Sequence, residues 1–175
     1  MSKYNDTIYA LSTPSGKSAI AVIRISGKNS LSVLKKISPI KSIVSNKTKL
    51  TFLEFKNKTL DQVLVTYFKK PKSFTGEDML EISCHGSTAV ISKISETLNI
   101  LGLRIAEPGE FTRRSLMNDK SDLLTVEGLS DLINSETEKQ RSMAISGITG
   151  RLNLFDCFAL YFSRIFRLIG CLCII

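Results

Sequence analysis

Two charged residues interrupt apolar runs in this sequence. Arg24 falls inside Ala19-Ile20-Ala21-Val22-Ile23-Arg24-Ile25, and Glu81 inside Met79-Leu80-Glu81-Ile82. Alternation along a strand places Glu81 with Met79 and Ser83 on one face, opposite Leu80 and Ile82. A carboxylate so placed either points to solvent or accepts hydrogen bonds from the N–H groups of a ligand. Arg24 either snorkels to water or holds ligand oxygens. Lys120, in Asn118-Asp119-Lys120, reads on pattern alone as a surface turn lysine. His85, the one histidine, reads as a hydrogen-bonded structural residue in preference to a general base. Gly86 after it is expected to supply an unusual backbone angle. Thr75-Gly76-Glu77-Asp78 reads as a turn that positions the next strand, in preference to an acidic metal or base cluster.

Familiar catalytic patterns are missing from the sequence. There is no GxxxxGK[ST] phosphate loop, no GxGxxG after a strand and no GxSxG elbow. No residue is therefore assigned a catalytic role. Cys84, Cys157, Cys171 and Cys173 have no CxxC spacing, which with a single histidine argues against a zinc site. The expectation is reduced thiols in the cytoplasm and no metal. The N-terminus has neither an apolar signal core nor an Arg-rich transit pattern.

The elements that must carry these residues follow from periodicity. Thr7 to Ser12 and Ala19 to Ser26 read as strands around the turn Thr13-Pro14-Ser15-Gly16, the second covered on both faces. Asn29 or Ser30 caps a short helix through Ile37. Thr48 to Phe55 and Leu60 to Phe68 form a hairpin joined at Lys56-Asn57-Lys58, and Pro71 stops its second strand. A strand from Met79 to Cys84 leads into a helix that starts at Ser87 or Thr88 and ends at Gly102. Leu103 to Ala106 is a short strand, and from Glu110 the pattern is helical. There Leu123, Val126, Leu129, Leu132 and Ile133 form an apolar stripe, and Met143, Ala144 and Ile148 continue helical spacing. The predicted class is α/β (α+β), a mixed sheet with packed helices followed by the start of an all-helical region.

Composition is that of a globular protein, 43% hydrophobic and 23% charged over 175 residues. The net charge of +8 is uneven: residues 1 to 74 hold 14 Lys and Arg against three acids, a net +11, and the remainder carries −3. Such a half suits RNA or a polyglutamylated cofactor, or is a solvated lysine-rich surface; the scattered lysines with little interleaved aromatic area favour the latter.

In order and spacing, a series of segments resembles the N-terminal region of the tRNA-modification GTPases of the MnmE (TrmE) family. These are Asp6-Thr7-Ile8, Thr13-Pro14-Ser15-Gly16, Ile23-Arg24-Ile25-Ser26-Gly27, Ser73-Phe74-Thr75-Gly76-Glu77-Asp78, Glu81 and His85-Gly86. Gly102-Leu103-Arg104-Ile105-Ala106, Pro108-Gly109-Glu110-Phe111, Asn118-Asp119-Lys120 and Asp122-Leu123 complete the series, and the resemblance covers roughly residues 4 to 150. The resemblance implies a tetrahydrofolate-binding domain at 1–120 that forms a homodimer and binds 5-formyltetrahydrofolate near its interface, with the start of a helical domain at 121–150. It implies work with an FAD-dependent MnmG-like partner on carbon 5 of the wobble uridine of tRNA, the folate supplying the one-carbon unit. GTP, potassium and magnesium belong to the family's GTPase domain. Matched residue by residue, the family's folate contacts fall on Arg24, Glu81 and Lys120. A carboxylate suits the adjacent N–H donors of a pterin, and the two cations suit carbonyl, formyl or glutamate oxygens.

The sequence also departs from the family. It stops at Ile175 with neither the phosphate loop nor the C-terminal Cys-Gly-Lys motif, so GTP hydrolysis by this chain alone is not expected. A non-catalytic folate-binding or interaction fragment, or the product of a truncated gene, is the alternative. At His85-Gly86-Ser87 the family usually has a second glycine, so this loop is expected to approach a ligand less freely. Residues 151–175 are a divergent apolar tail, read as an altered helical continuation in preference to a membrane span, because Arg164 and Arg167 lie near its centre.

Overall fold

The computed structural model describes residues 6–149; the apolar tail and its three cysteines lie outside the described residues. The chain divides into two compact units, Met1–Lys120 and Ser121–Ile175.

The first unit is an α/β fold. Strands β1 (Ile8–Leu11) and β2 (Ser18–Ser26) precede helix α1 (Ser30–Ile37). Then come the hairpin β3 (Thr48–Phe55) and β4 (Lys58–Phe68), β5 (Met79–Gly86), α2 (Thr88–Ile100), β6 (Arg104–Ile105) and α3 (Glu110–Met117). The six strands form one sheet in the order β3-β4-β5-β2-β1-β6. It is mixed, since β1 and β6 run parallel while the other neighbours are antiparallel.

Alternation decides which face is buried. Ala21, Ile23 and Ile25 of β2, Leu80 and Ile82 of β5, and Val63 and Val65 of β4 join one core with Leu34 and Ile37 of α1 and Ile94 and Leu98 of α2. The intervening residues Arg24, Glu81, Thr66 and Leu64 occupy the other face, which these helices leave open. The expectation that β2 is covered on both faces is therefore corrected: Ile20 is 64% exposed and Val22 and Arg24 are half-buried. Its unbroken apolar run reflects one buried face plus apolar residues on an open one.

Local signals account for most boundaries. Lys56 and Asn57 have φ of 50° and 60°, the left-handed pair that a tight two-residue hairpin needs, so β4 starts at Lys58 rather than Leu60. Gly102, at φ 83°, ends α2: its N–H donates to Asn99 O and that of Leu103 to Leu98 O. The expected side-chain caps of α1 and α2 do not form. The Ser30 hydroxyl instead donates to Gly27 O and Asp78 O, tying the start of α1 to the loop before β5.

The second unit contains α4 (Leu123–Ile133) and α5 (Glu138–Ile148) among its described residues. Asp122 caps α4 through Thr125 N, and Thr137 with Gln140 forms a capping box on α5. The pair closes over small residues rather than over the predicted stripe. A Cβ on Gly128 would lie 3.2 Å from Ala144 O and 3.1 Å from Ile148 N, whereas Leu123 and Ile133 are 65% and 75% exposed.

Candidate functional site

Arg24 and Glu81 are direct cross-strand partners between β2 and β5. Arg24 Nε donates to Glu81 Oε1 at 2.8 Å. Both side chains retain solvent contact, 38% and 26% respectively. Among the described residues, the terminal guanidinium nitrogens and Glu81 Oε2 take no hydrogen bond. The two candidates thus present one joined cation and carboxylate on the open face, each with hydrogen-bonding capacity left over.

Two residues beyond Arg24, on the same face of β2, Ser26 is fully buried. Its hydroxyl lies 2.7 Å from Thr75 Oγ1 and donates to Glu77 Oε2 at 2.9 Å. The loop 73–78 therefore closes over this end of the open face. Its other side is held by Ser115 Oγ, which donates to Phe74 O, and Asn118 Nδ2, which donates to Thr75 O. Gly76 adopts φ 76°, and a Cβ there would stand 2.8 Å from Lys120 Cγ. The aliphatic stem of Lys120 thus packs on this glycine, while Lys120 as a residue is exposed and its ammonium has no partner among the described residues. Lys120 bonds to neither Arg24 nor Glu81; the shared loop is what relates it to their face of the sheet.

A buried ion network underlies that loop, and sequence reasoning missed it. Arg114, with no exposed side-chain surface, donates to Glu77 Oε2, Glu110 Oε1, Asp6 Oδ1 and Asp6 O. Arg104 donates to Asp6 and to both oxygens of Glu110. Burial pushes the Glu110 carboxyl up, but hydrogen bonds from Arg104, the Glu107 N–H and Arg114 outweigh it and bring it down to about 2. Burial likewise opposes ionisation of Asp6, and the two guanidiniums hold it below the usual range. The only available signal was Arg114 one helical turn after Glu110, a pattern that also fits an exposed helix.

The remaining candidates resolve toward structural roles. Glu77 is buried on Arg114, and Asp78 accepts from the Tyr67 hydroxyl and the Lys70 N–H, so the acidic segment is a positioned turn. No group of three metal-binding side chains occurs among the described residues. Asp61 accepts from both the backbone N–H of His85 and its Nδ1, at 2.8 and 2.7 Å. Gly86 does not have the unusual backbone angle expected of it. Glycine is required there for space, because a Cβ would collide with Ser18 Oγ and approach Ser18 O to 2.5 Å, where β2 is irregular. Ser87, where the family usually has glycine, has φ −83°, open to any residue. Burial pushes the Cys84 thiol up to about 11, which leaves it a packing residue.

The family described as "GTP-binding protein TrmE N-terminus" matches residues 7–120. A tRNA modification GTPase MnmE of Anaplasma phagocytophilum is 47% identical over 152 residues, covering 86% of this chain and 34% of that protein. The MnmE of Fervidobacterium nodosum is 43% identical over 154 residues, covering 85% and 34%, and that of Rickettsia rickettsii 46% over 151 residues, covering 84% and 34%. The chain spans about one third of the length of these relatives. With the family matched across the whole sheet and through Lys120, the chain belongs to the TrmE N-terminus family, that of the tRNA modification GTPases MnmE.

Proposed function

We propose that residues 1–120 bind a reduced folate, 5-formyltetrahydrofolate, and dimerise, as the one-carbon donor site of a tRNA wobble-uridine modification system. The observation that carries this reading is the Arg24–Glu81 pair on the open sheet face. Glu81 Oε2 can accept from the N–H donors of a pterin, and the terminal nitrogens of Arg24 can donate to ligand oxygens. A half-exposed ion pair contributes only about 0–1 kcal/mol, so a ligand can rearrange it at small cost. Lys120, its stem fixed by Gly76 and its ammonium free, suits a carbonyl or glutamate oxygen. The donor set therefore fits a folate, and the bound folate would supply the one-carbon unit.

Dimerisation is supported by apolar area on the same open face. Leu50 and Leu64 are cross-strand partners that stay 59% and 45% exposed, and Phe52 beside them is 48% exposed. Burying these against a second copy is the simplest use for them. By analogy with MnmE, an FAD-dependent MnmG-like protein, tRNA and a GTPase unit using GTP, potassium and magnesium would complete the system in the cytoplasm. No described helix is long and apolar enough to cross a membrane.

Titration calorimetry of the full chain with 5-formyltetrahydrofolate tests the proposal, alongside Glu81→Gln and Arg24→Ala. Saturable binding in the parent, weakened at least tenfold in both variants, is expected. Parent-like affinity in both variants would remove these residues from the site, and no binding by a folded parent would remove the folate.

A further inference from the structure

Arginines and lysines are used differently in this chain. Arg24, Arg104, Arg113, Arg114 and Arg141 are all in ion pairs within the protein. The lysines of the basic half are different. No Asp or Glu lies between Asp6 and Glu54, a stretch holding seven lysines, and none of the lysines from Lys41 to Lys72 is in an ion pair among the described residues.

Folding gathers part of this set at one corner of the sheet. β3 is an edge strand. Asn46 N donates to Tyr67 O and Lys69 N to Ser45 Oγ, binding the start of β3 to the exit of β4. This places Lys47 beside Lys69 and Lys70, with Lys72 just beyond and Lys49 two residues further along the chain, opposite Val65; all five are exposed. The carboxylate that the hydrogen bonds place nearby, Asp78, is half-buried and accepts from Tyr67 and the Lys70 N–H through Oδ1. Like charges brought this close raise one another's energy, by an amount that an anionic partner removes. Flexible ammonium groups without a carboxylate fork or an aromatic platform suit phosphates read as charge rather than bases read by sequence.

We propose that this corner, Lys47, Lys49, Lys69, Lys70 and Lys72, is a docking surface for the phosphate backbone of RNA. It lies around the start of β3 and just past the end of β4, outside the Arg24, Glu81 and Lys120 set, and it does not rest on the folate reading. Its recognition is electrostatic and therefore steeply salt-dependent, with a slope of about −0.7 to −0.9 in log K against log salt for each phosphate neutralised.

The test is binding of an unmodified tRNA to the full chain by fluorescence anisotropy across a salt series. Lys47→Glu/Lys70→Glu is compared with Lys17→Glu/Lys58→Glu, which changes net charge equally at the opposite end of the strands, where the hairpin turns and Gly86 pairs with Ser18. The corner variant is expected to bind at least tenfold more weakly with a shallower salt slope, and the control within about twofold of the parent. Lys47→Gln/Lys70→Gln, a milder change, carries the same test if the double reversal does not fold. Equal weakening by both pairs would reduce the surface to diffuse charge and overturn the proposal. So would a parent that does not bind tRNA at low salt, or one that binds anionic vesicles instead. Folate titration of the same variants is expected to match the parent, so either proposal can fail alone.

Discussion

Arg114 Nη1 lies 3.1 Å from Glu77 Oε2, both side chains almost wholly removed from solvent. This contact joins α3 to the loop that closes one end of the open sheet face. The same carboxylate accepts from Ser26 of β2, so helix, loop and central strand meet at one group.

Removing the guanidinium leaves buried negative charge behind. Arg114→Met is expected to destabilise the first unit by about 3–5 kcal/mol, the usual effect of breaking a buried ion pair from one side. Adding Glu77→Gln to that variant should recover part of the loss. Urea unfolding of the parent, the single variants and the double variant measures the coupling; strictly additive losses would show that the two groups act independently.

The network also sets an acid limit. The folded-state pKa of Glu110, about 2, is below its unfolded value near 4.5. Its contribution is fully present above pH 4.5 and fades as pH falls toward 2, because the unfolded chain takes up the proton first. Asp6 is shifted in the same direction. Stability measured by urea unfolding should therefore drop across this window in the parent and less steeply in Glu110→Gln, which starts from a lower stability. An equally steep profile in the variant would assign the acid sensitivity to other carboxylates.

Gly76 connects backbone conformation to the proposed site. Gly76→Ala places a Cβ at φ 76° and within 2.8 Å of Lys120 Cγ. The left-handed conformation costs about 1–2 kcal/mol for a residue with a side chain, and the Lys120 stem must move away. A lower unfolding midpoint together with weaker folate binding is expected, the latter read by calorimetry at a temperature where the variant is fully folded. Unchanged affinity there would separate Lys120 from the ligand.

Gly86 faces a purely steric limit. Gly86→Ala brings a methyl group to 2.5 Å from the carbonyl oxygen of Ser18, backbone that cannot rotate away as a side chain can. A loss of about 1–3 kcal/mol is expected from such overpacking. Ser18→Gly in the same background would remove only the clash with the hydroxyl, so little rescue is expected; full rescue would mean that the side chain, not the backbone, sets the limit.

Much of this architecture is written locally in the chain. Alternation in β5 separated Leu80 and Ile82 from Glu81, and Gly102 marked the end of α2, because each depends on neighbours within a few residues; the unbroken apolar run of β2 hid which of its faces is covered. Boundaries shifted where a backbone conformation was not legible from residue type, as at Lys56, whose positive φ brings the start of β4 forward. At Gly86 the right residue was noticed for the wrong reason, since the approach of Ser18 is a contact between strands far apart in sequence.

The sequence by itself determined the family, the α/β class, and the presence of a charged residue in each of two apolar strands. The tertiary structure decided which charges meet. Arg24 and Glu81 are 57 residues apart and become partners only through the register of β2 with β5. Arg114 and Glu77, 37 residues apart, meet only because α3 packs against the loop before β5. Periodicity is a property of the backbone over a few residues, whereas the partner of a charge is set by packing that brings distant segments together.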